Sequence, residues 1–337
     1  MPRGAPRSGP DRRTMARPTV TFALVCYQHG TFVTHAVRGL LAQEGPPLDI
    51  VISDDASKDG TFAAIEKAVT GYRGPHRVRL NRNDRNMGME HYNRIVELAE
   101  GDIVVIGHGD DVPLPNRAVR LAEVMQSERV SLVTSDVYVV HSDGRRAGTL
   151  SDSAESSRFE MGALLTRGWQ RTMLGASMAW RPEVMTRFDG LNREVLPAGY
   201  DLPLVFRGCL LDGAYYLAEP LLDWRRHNEN LSEQLTDRSA GKLIESEGAA
   251  GHAVTVLMAM LHDLEYFMRQ NPERADLKPV NRRLQRFMYH HLRNWTRRRN
   301  RLFNRGKRAT WLERDEWLAR RKPDSPRIRA QKKLKPT

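Results

Sequence analysis

Two short runs of this sequence set adjacent carboxylates beside glycine: SDDASKDGT at 53–61 and GHGDDVPLP at 107–115. Neighbouring carboxylates repel, so an Asp-Asp pair next to a glycine suits a nearby cation. Hard oxygen donors favour Mg or Mn, ions that commonly bridge a diphosphate. Other readings stay open. Asp54 also suits a helix N-terminus, and Asp110-Asp111 also suits a turn before Pro113. A third polar cluster, Tyr27, Gln28 and His29, follows a β-rich apolar run. Further on, Asp201 heads a helical pattern, where a carboxylate serves as an N-cap. His227 lies in a basic stretch, where a lone imidazole is usually solvated.

These groups need elements to hold them. VTFALVCY (20–27), 48–53, 102–106 and 132–140 are apolar runs of the kind that form buried strands, with a shorter one at 78–80. Between them, 31–43, 59–72, 90–100 and 115–126 place apolar residues at helical spacing. The alternation over 19–140 predicts an α/β unit of three layers with a largely parallel sheet. Ligands of such sheets bind outside the carboxyl ends of the strands. All three polar clusters follow strand ends, so they are expected to converge. The pattern over 150–235 is less regular, with helices expected at 160–166, 181–188 and 200–211 and one or two strands around Pro220. Helical patterns resume at 239–270 and 278–304.

Composition narrows the function classes. The chain has 337 residues, 40% hydrophobic and 28% charged, enough for a folded core and for two ordinary domains or one large one with extensions. No apolar run reaches the roughly 18–20 residues that span a bilayer. Val254–Met268 is interrupted by His262, Asp263 and Glu265. No apolar stretch backs the arginines of the N-terminus, so a cytoplasmic protein is expected. Cys26 and Cys209 give neither a disulfide framework nor a CxxC pair. GxxxxGK[ST], GxGxxG and HExxH are absent, and Gly175–Ala179 lacks the last glycine of a nucleophile elbow. The net charge of +12 is uneven. Residues 282–337 hold 20 Lys and Arg against 4 Asp and Glu, while 18–281 is mildly acidic. A basic end of this kind attracts the phosphates of anionic lipid or nucleic acid.

In sequence order, FALVCYQHGTFVTHAVRGLLAQ (22–43), DIVISDDASKDGT (49–61), NMG with Asn93 (86–93), GDIVVIGHGDDVPLPNR (101–117) and LAEPLLDWRRHNENLS (217–232) resemble the motifs of family two glycosyltransferases. The resemblance covers about residues 18–232. It implies the GT-A fold, an α/β fold of three layers with a mostly parallel sheet, here with a helical C-terminal extension. The expected division is a basic, disordered 1–17, a GT-A domain over 18–235, a helical extension over 236–320 and a disordered basic tail over 321–337.

The resemblance also implies roles. Tyr27 lies against the nucleotide base and Asp55 accepts a hydrogen bond from it. Asp54, Asn86, Asn93 and Asp110 complete the nucleotide-sugar site. Asp111 binds a divalent metal, Mn or Mg, with His227 as a further ligand. Asp201 is the general base of an inverting transfer to an acceptor hydroxyl. Two positions depart from the family pattern. His108 replaces a frequent Asp, and Tyr200 replaces the Glu before the base. The donor is expected to be a nucleotide-diphosphate sugar with a pyrimidine base, and the acceptor a cell-surface glycan or a lipid-linked one. The basic 282–337 segment would meet an anionic membrane peripherally, at the inner face, and no nucleic acid is expected. Two competing readings are an inactive protein on the same fold and a binder of anionic membrane or nucleic acid acting through the basic C-terminus.

Overall fold

The computed structural model of the protein describes residues 17–141, 143–167, 172–192, 199–226 and 241–304. The expectations placed on 1–16, His227, 236–240 and 305–337 lie outside the described residues. Two compact units form, one within Met1–His227 and His262–Ala275, the other within Asn228–Leu261 and Asp276–Thr337.

The first unit is built on one sheet. In chain order its strands are β1 (Val20–Cys26), β2 (Asp49–Asp54), β3 (Arg77–Arg82), β4 (Ile103–His108), β5 (Val112–Pro113), β6 (Leu132–Val140), β7 (Arg146–Thr149), β8 (Ser157–Arg158), β9 (Met178–Trp180) and β10 (Ala214–Arg225). They run β3-β2-β1-β4-β9-β6-β10-β5, with β7 on β6 and β8 on β10. The half from β3 to β4 is wholly parallel, as expected of strands linked through helices. The linking helices are α1 (Val33–Leu41), α2 (Thr61–Val69) and α3 (His91–Leu98). Phe22, Leu24, Ile50, Ile52 and Val105 are fully buried, which accounts for the unbroken apolar runs.

The sheet is mixed beyond β4. The three-residue β9 runs antiparallel to both β4 and β6 and joins the parallel block to a second parallel pair, β6 and β10. β10 changes register on either side of Pro220, a residue with no N–H for the ladder. Three further helices complete this half: α4 (Arg117–Ser127), α5 (Met161–Arg167) and α6 (Glu183–Thr186).

Register sets the site. Cys26 lies beside Asp54, and Val25 beside His108, so β1, β2 and β4 end at one level. α7 (Asp201–Leu210) is anchored from its own middle. The Arg207 guanidinium makes two bonds to Asp263, at 2.7 and 2.8 Å, with both side chains under 5% exposed. Nη2, one of these two nitrogens, also donates to the Gly190 carbonyl at 2.7 Å, and Nη1 donates to the Val184 carbonyl at 3.4 Å.

Two long helices follow, α8 (Gly241–Gln270) and α9 (Lys278–Asn304). On α9, Leu284 is buried while Arg282, Arg283, Arg286, Tyr289 and Arg293 are exposed. No described helix is long and apolar enough to cross a membrane.

Candidate active site

The loop after β1 is stitched to the loop after β2. Gln28 adopts a left-handed backbone (φ 56°), and its N–H donates to Ser57 Oγ at 2.8 Å. The His29 N–H donates to Thr61 Oγ1 at 2.8 Å and the Gly30 N–H to Asp59 Oδ2 at 2.9 Å. The SDDASKDGT run therefore spends most of its side chains on shape. Asp54 is buried and accepts the Ser57 N–H at 3.0 Å. Asp55 accepts from Asn83 Nδ2 (2.8 Å) and from the N–H groups of Met87 and Gly88 (both 2.9 Å), fastening the 83–88 loop. Tyr27 stands at this edge, 42% exposed. Asn86 is exposed on the loop that Asp55 holds. Asn93 bonds both ways to the backbone of Leu191, at 2.8 and 2.7 Å, so it clamps the segment after α6.

The tight group forms at the end of β4. One ligand atom each from His108, Asp110 and Asp111 lies within 4.8 Å of the others. The turn is closed by the Asp111 N–H on the His108 carbonyl (3.2 Å) and the Gly109 N–H on the Val25 carbonyl (3.0 Å). A Cβ at Gly109 would meet His29 Nδ1 at 2.6 Å and Cys26 Sγ at 2.9 Å, so this turn requires glycine. β5 then pairs with β10, Val112 against Asp223. That pairing brings the Arg225 N–H to Asp111 Oδ1 at 2.8 Å and Arg225 Nε to the Asp110 carbonyl at 3.2 Å.

Electrostatics make this group strained without a counter-charge. Asp111 is 1% exposed. Burial and the Asp110 charge push its carboxyl well above the usual range, against the opposing pull of the Arg225 N–H and of Arg117 and Arg225. Arg117, fully buried, donates to the carbonyls of Ile106 and Ala176, both at 2.7 Å. Desolvation lowers it to about 10, partly offset by Asp111. His108 is driven down to about 4, by desolvation above all, so its ring is neutral at pH 7. One neutral imidazole and two carboxylates are a donor set that fits a divalent ion. His227, the other expected ligand, is outside the described residues.

Asp201 occupies the first turn of α7, while Tyr200 takes the cap position and makes no side-chain cap bond. Desolvation raises the Asp201 carboxyl to about 7, with the Gly175 N–H bonding against that rise. A Cβ on Gly175 would stand 2.4 Å from Asp201 Oδ1, so glycine admits the carboxylate here. Two tyrosines connect the region to β4. The Tyr92 hydroxyl donates to Tyr200 Oη at 2.7 Å and lies 2.8 Å from His108 Nε2. Tyr200 Oη is 3.3 Å from the same nitrogen. Burial raises both phenols, and the charge of Asp201 adds to the rise in each.

Three contributors escaped the sequence reading: Tyr92, Arg117 and Arg225. Arg117 lies six residues after Asp111, a usable signal, whereas Arg225 is 114 residues from the Asp111 carboxylate that it meets. Tyr92 carried none, because its partners are 16 and 108 residues away. A cleft of about 900 Å3, lined by Arg129, Arg181, Arg187 and Asp212 among others, opens near the starts of β6 and β10 rather than at their carboxyl ends.

Comparison with known proteins gives a consistent picture. The family model described as Glycosyl transferase family 2 matches residues 21–192. A stretch of 137 residues is 31% identical to the succinoglycan biosynthesis protein ExoO of Rhizobium meliloti. It covers 40% of this chain and 38% of ExoO, so the chain matches well under half of that relative's length. Residues 1–349 of S. aureus TarS, solved with UDP, superpose with a TM-score of 0.53 at 14% identity, covering 86% of this chain and 92% of that one. The mannosyltransferase PcManGT from Pyrobaculum calidifontis, solved with GDP-Man and Mn2+, gives 0.52 at 15% identity, covering 94% and 84%. At these identities the two structures speak for the GT-A fold alone.

Proposed function

The chain belongs to glycosyl transferase family 2, and from that membership we propose that it moves a sugar from a nucleotide-diphosphate sugar to an acceptor hydroxyl, with inversion. The observation that carries this reading is the group of half-buried His108 with buried Asp110 and Asp111, linked through the hydroxyls of Tyr92 and Tyr200 to the helix that starts at Asp201.

On this reading the Tyr27 ring covers the base, and the site formed by Asp54, Asp55, Asn86 and Asn93 holds the nucleoside. Asp55 shares its carboxylate between the base and the 83–88 loop, which makes that loop responsive to the donor. A pyrimidine base is the favoured choice. Asp110 and Asp111, with His108, would hold a divalent ion that offsets charge gathering on the leaving diphosphate. Asp201 takes the proton of the acceptor hydroxyl, and a carboxyl near 7 suits a base working at neutral pH. The sugar passes through an oxocarbenium-like state, as glycosides do on hydrolysis. Arg117 and Arg225 keep the Asp pair in place beneath the donor. The acceptor, a glycan or a lipid-linked one, meets the surface formed by 150–200.

The exposed arginines of α9 fit peripheral contact with an anionic membrane at the inner face of a cytoplasmic enzyme. Flotation with anionic vesicles should be lost at high salt and on deleting 282–337. Flotation that survives both would count against it.

The transfer itself is tested by nucleotide-diphosphate release from a panel of UDP and GDP sugars. Wild type should turn over at least one, and Asp201→Asn should lower that rate by about 10^2 to 10^4. Wild-type rates in a folded Asp201→Asn protein would refute the base.

A further inference from the structure

The position of His108 beside two tyrosine hydroxyls has a consequence for the ion that this site prefers. The Tyr92 hydroxyl has one proton, and it goes to Tyr200 Oη at 2.7 Å. Toward His108 Nε2, at 2.8 Å, Tyr92 is therefore left to accept. Tyr200 Oη lies 3.3 Å from the same nitrogen. Both hydroxyls are buried and rigidly placed, with the two tyrosine rings 4.4 Å apart at their centroids. With Tyr92 as the acceptor, the ring proton belongs on Nε2 and the lone pair on Nδ1.

Nδ1 is the nitrogen that faces Asp111, 4.0 Å from Oδ2. That separation is too long for a direct hydrogen bond. It matches two ligands of one ion, since bonds of about 2.1 Å allow ligand atoms up to about 4.2 Å apart. A metal-bound imidazole characteristically donates its other N–H to a fixed acceptor, which sets the tautomer and the ring angle.

We propose that Tyr92, with Tyr200, is a positioning residue that fixes the His108 tautomer, so that Nδ1 joins Asp110 and Asp111 as a ligand and the site selects a transition ion over Mg2+. The inference rests on the donor reading above and adds to it the identity of the ion. Imidazole nitrogen raises affinity along the first-row transition series far more than it does for Mg2+, which prefers oxygen and water. Tyr200 and His108 therefore belong together: each stands at a position where the family pattern more often has a carboxylate, and each touches the other.

The test uses the full chain with saturating UDP, titrated with Mn2+, Co2+ and Mg2+, and pulsed electron paramagnetic resonance on the bound Mn2+. Wild type should show nitrogen coupling to Mn2+, lost in His108→Asp. The ratio of Co2+ to Mg2+ affinity should fall at least about tenfold in that variant. Tyr92→Phe should weaken Mn2+ binding by about 10- to 100-fold in the wild-type background. In the His108→Asp background the same change should do nothing, which separates positioning from general damage to the fold. Mn2+ bound without nitrogen coupling would overturn the inference and leave the donor reading intact. An equal effect of Tyr92→Phe in both backgrounds would also overturn it. Failure of folded wild type to bind either UDP or GDP would remove the donor reading, and this inference with it.

Discussion

The two halves of the sheet hold their functional groups by different means. From β3 to β4, the polar residues at the strand ends are fixed by the backbone. Asp55 accepts the N–H groups of Met87 and Gly88, Ser57 and Thr61 accept those of Gln28 and His29, and the Gly109 N–H donates to the Val25 carbonyl. From β9 to β10 the fixing is done by long side chains reaching between elements. Arg117 ties β4 to the Gly175–Ser177 turn, Arg207 ties α7 to Asp263, and Tyr92 ties α3 to Tyr200. The first half is a frame that repeats with the alternation of strand and helix. The second is assembled from single contacts, each of which one substitution can break.

That contrast orders the expected effects. The largest falls on chemistry at the second half. The upward shift of Asp201 means that the fold favours its protonated form. This preference is complete below about pH 4, the ordinary carboxylate range, and is lost as the pH rises through about 7. Transfer should therefore rise with pH up to about 7 and level off above it. Asp201→Asn should abolish that limb while leaving stability at pH 8 equal or higher. A rate that stays flat from pH 5 to 8 under subsaturating substrate would remove Asp201 from the titrating role.

Next comes the Arg207 anchor. Arg207→Ala leaves the Asp263 carboxylate buried and unpaired, and urea unfolding should show a loss of about 3–5 kcal/mol. Replacing both partners, Arg207→Met with Asp263→Leu, should restore most of it. A loss under 1 kcal/mol in the single variant would mean that α7 does not depend on this pair.

In the first half, Asp55→Asn swaps a carboxylate for an amide against two backbone donors, with an expected loss of about 1–3 kcal/mol. If instead Asp55→Asn were silent for stability and damaged only nucleotide binding, the framing role of the SDDASKDGT run would be wrong. Smallest of all is the surface pair of Arg146 and Asp223, bonded at 2.7 and 3.1 Å but solvent-facing. Asp223→Asn should change stability by less than about 1 kcal/mol.

The same contrast explains what was legible in the sequence. The strands of the first half are uninterrupted apolar runs because both faces are covered, and α1 to α4 follow from helical spacing. The approach of the clusters after β1, β2 and β4 followed from the rule on carboxyl ends. What stayed hidden were contacts between distant residues. β9 is only Met178–Trp180, too short for any period to show, yet it turns the sheet from parallel to mixed. The Met87 and Gly88 N–H groups that bond Asp55 lie 32 and 33 residues away, with no motif linking them to it. Asp201 was weighed as a cap, whereas the helix starts on it and Tyr200 precedes it. α9 was legible to the residue, since its pattern runs unbroken from 278 to 304.

The central claim is that the end of β4 is a donor site that needs a cation. The most direct measurement is thermal unfolding of wild type and Asp111→Ala with UDP, GDP and their sugar conjugates, each with and without Mn2+. A ligand at about 100 times its Kd adds roughly 2.7 kcal/mol, enough to move the midpoint by several degrees. The account predicts a Mn2+-dependent rise with one nucleotide diphosphate, absent in Asp111→Ala. A folded wild type that shifts with none of them, or an Asp111→Ala protein that shifts as wild type does, would contradict it.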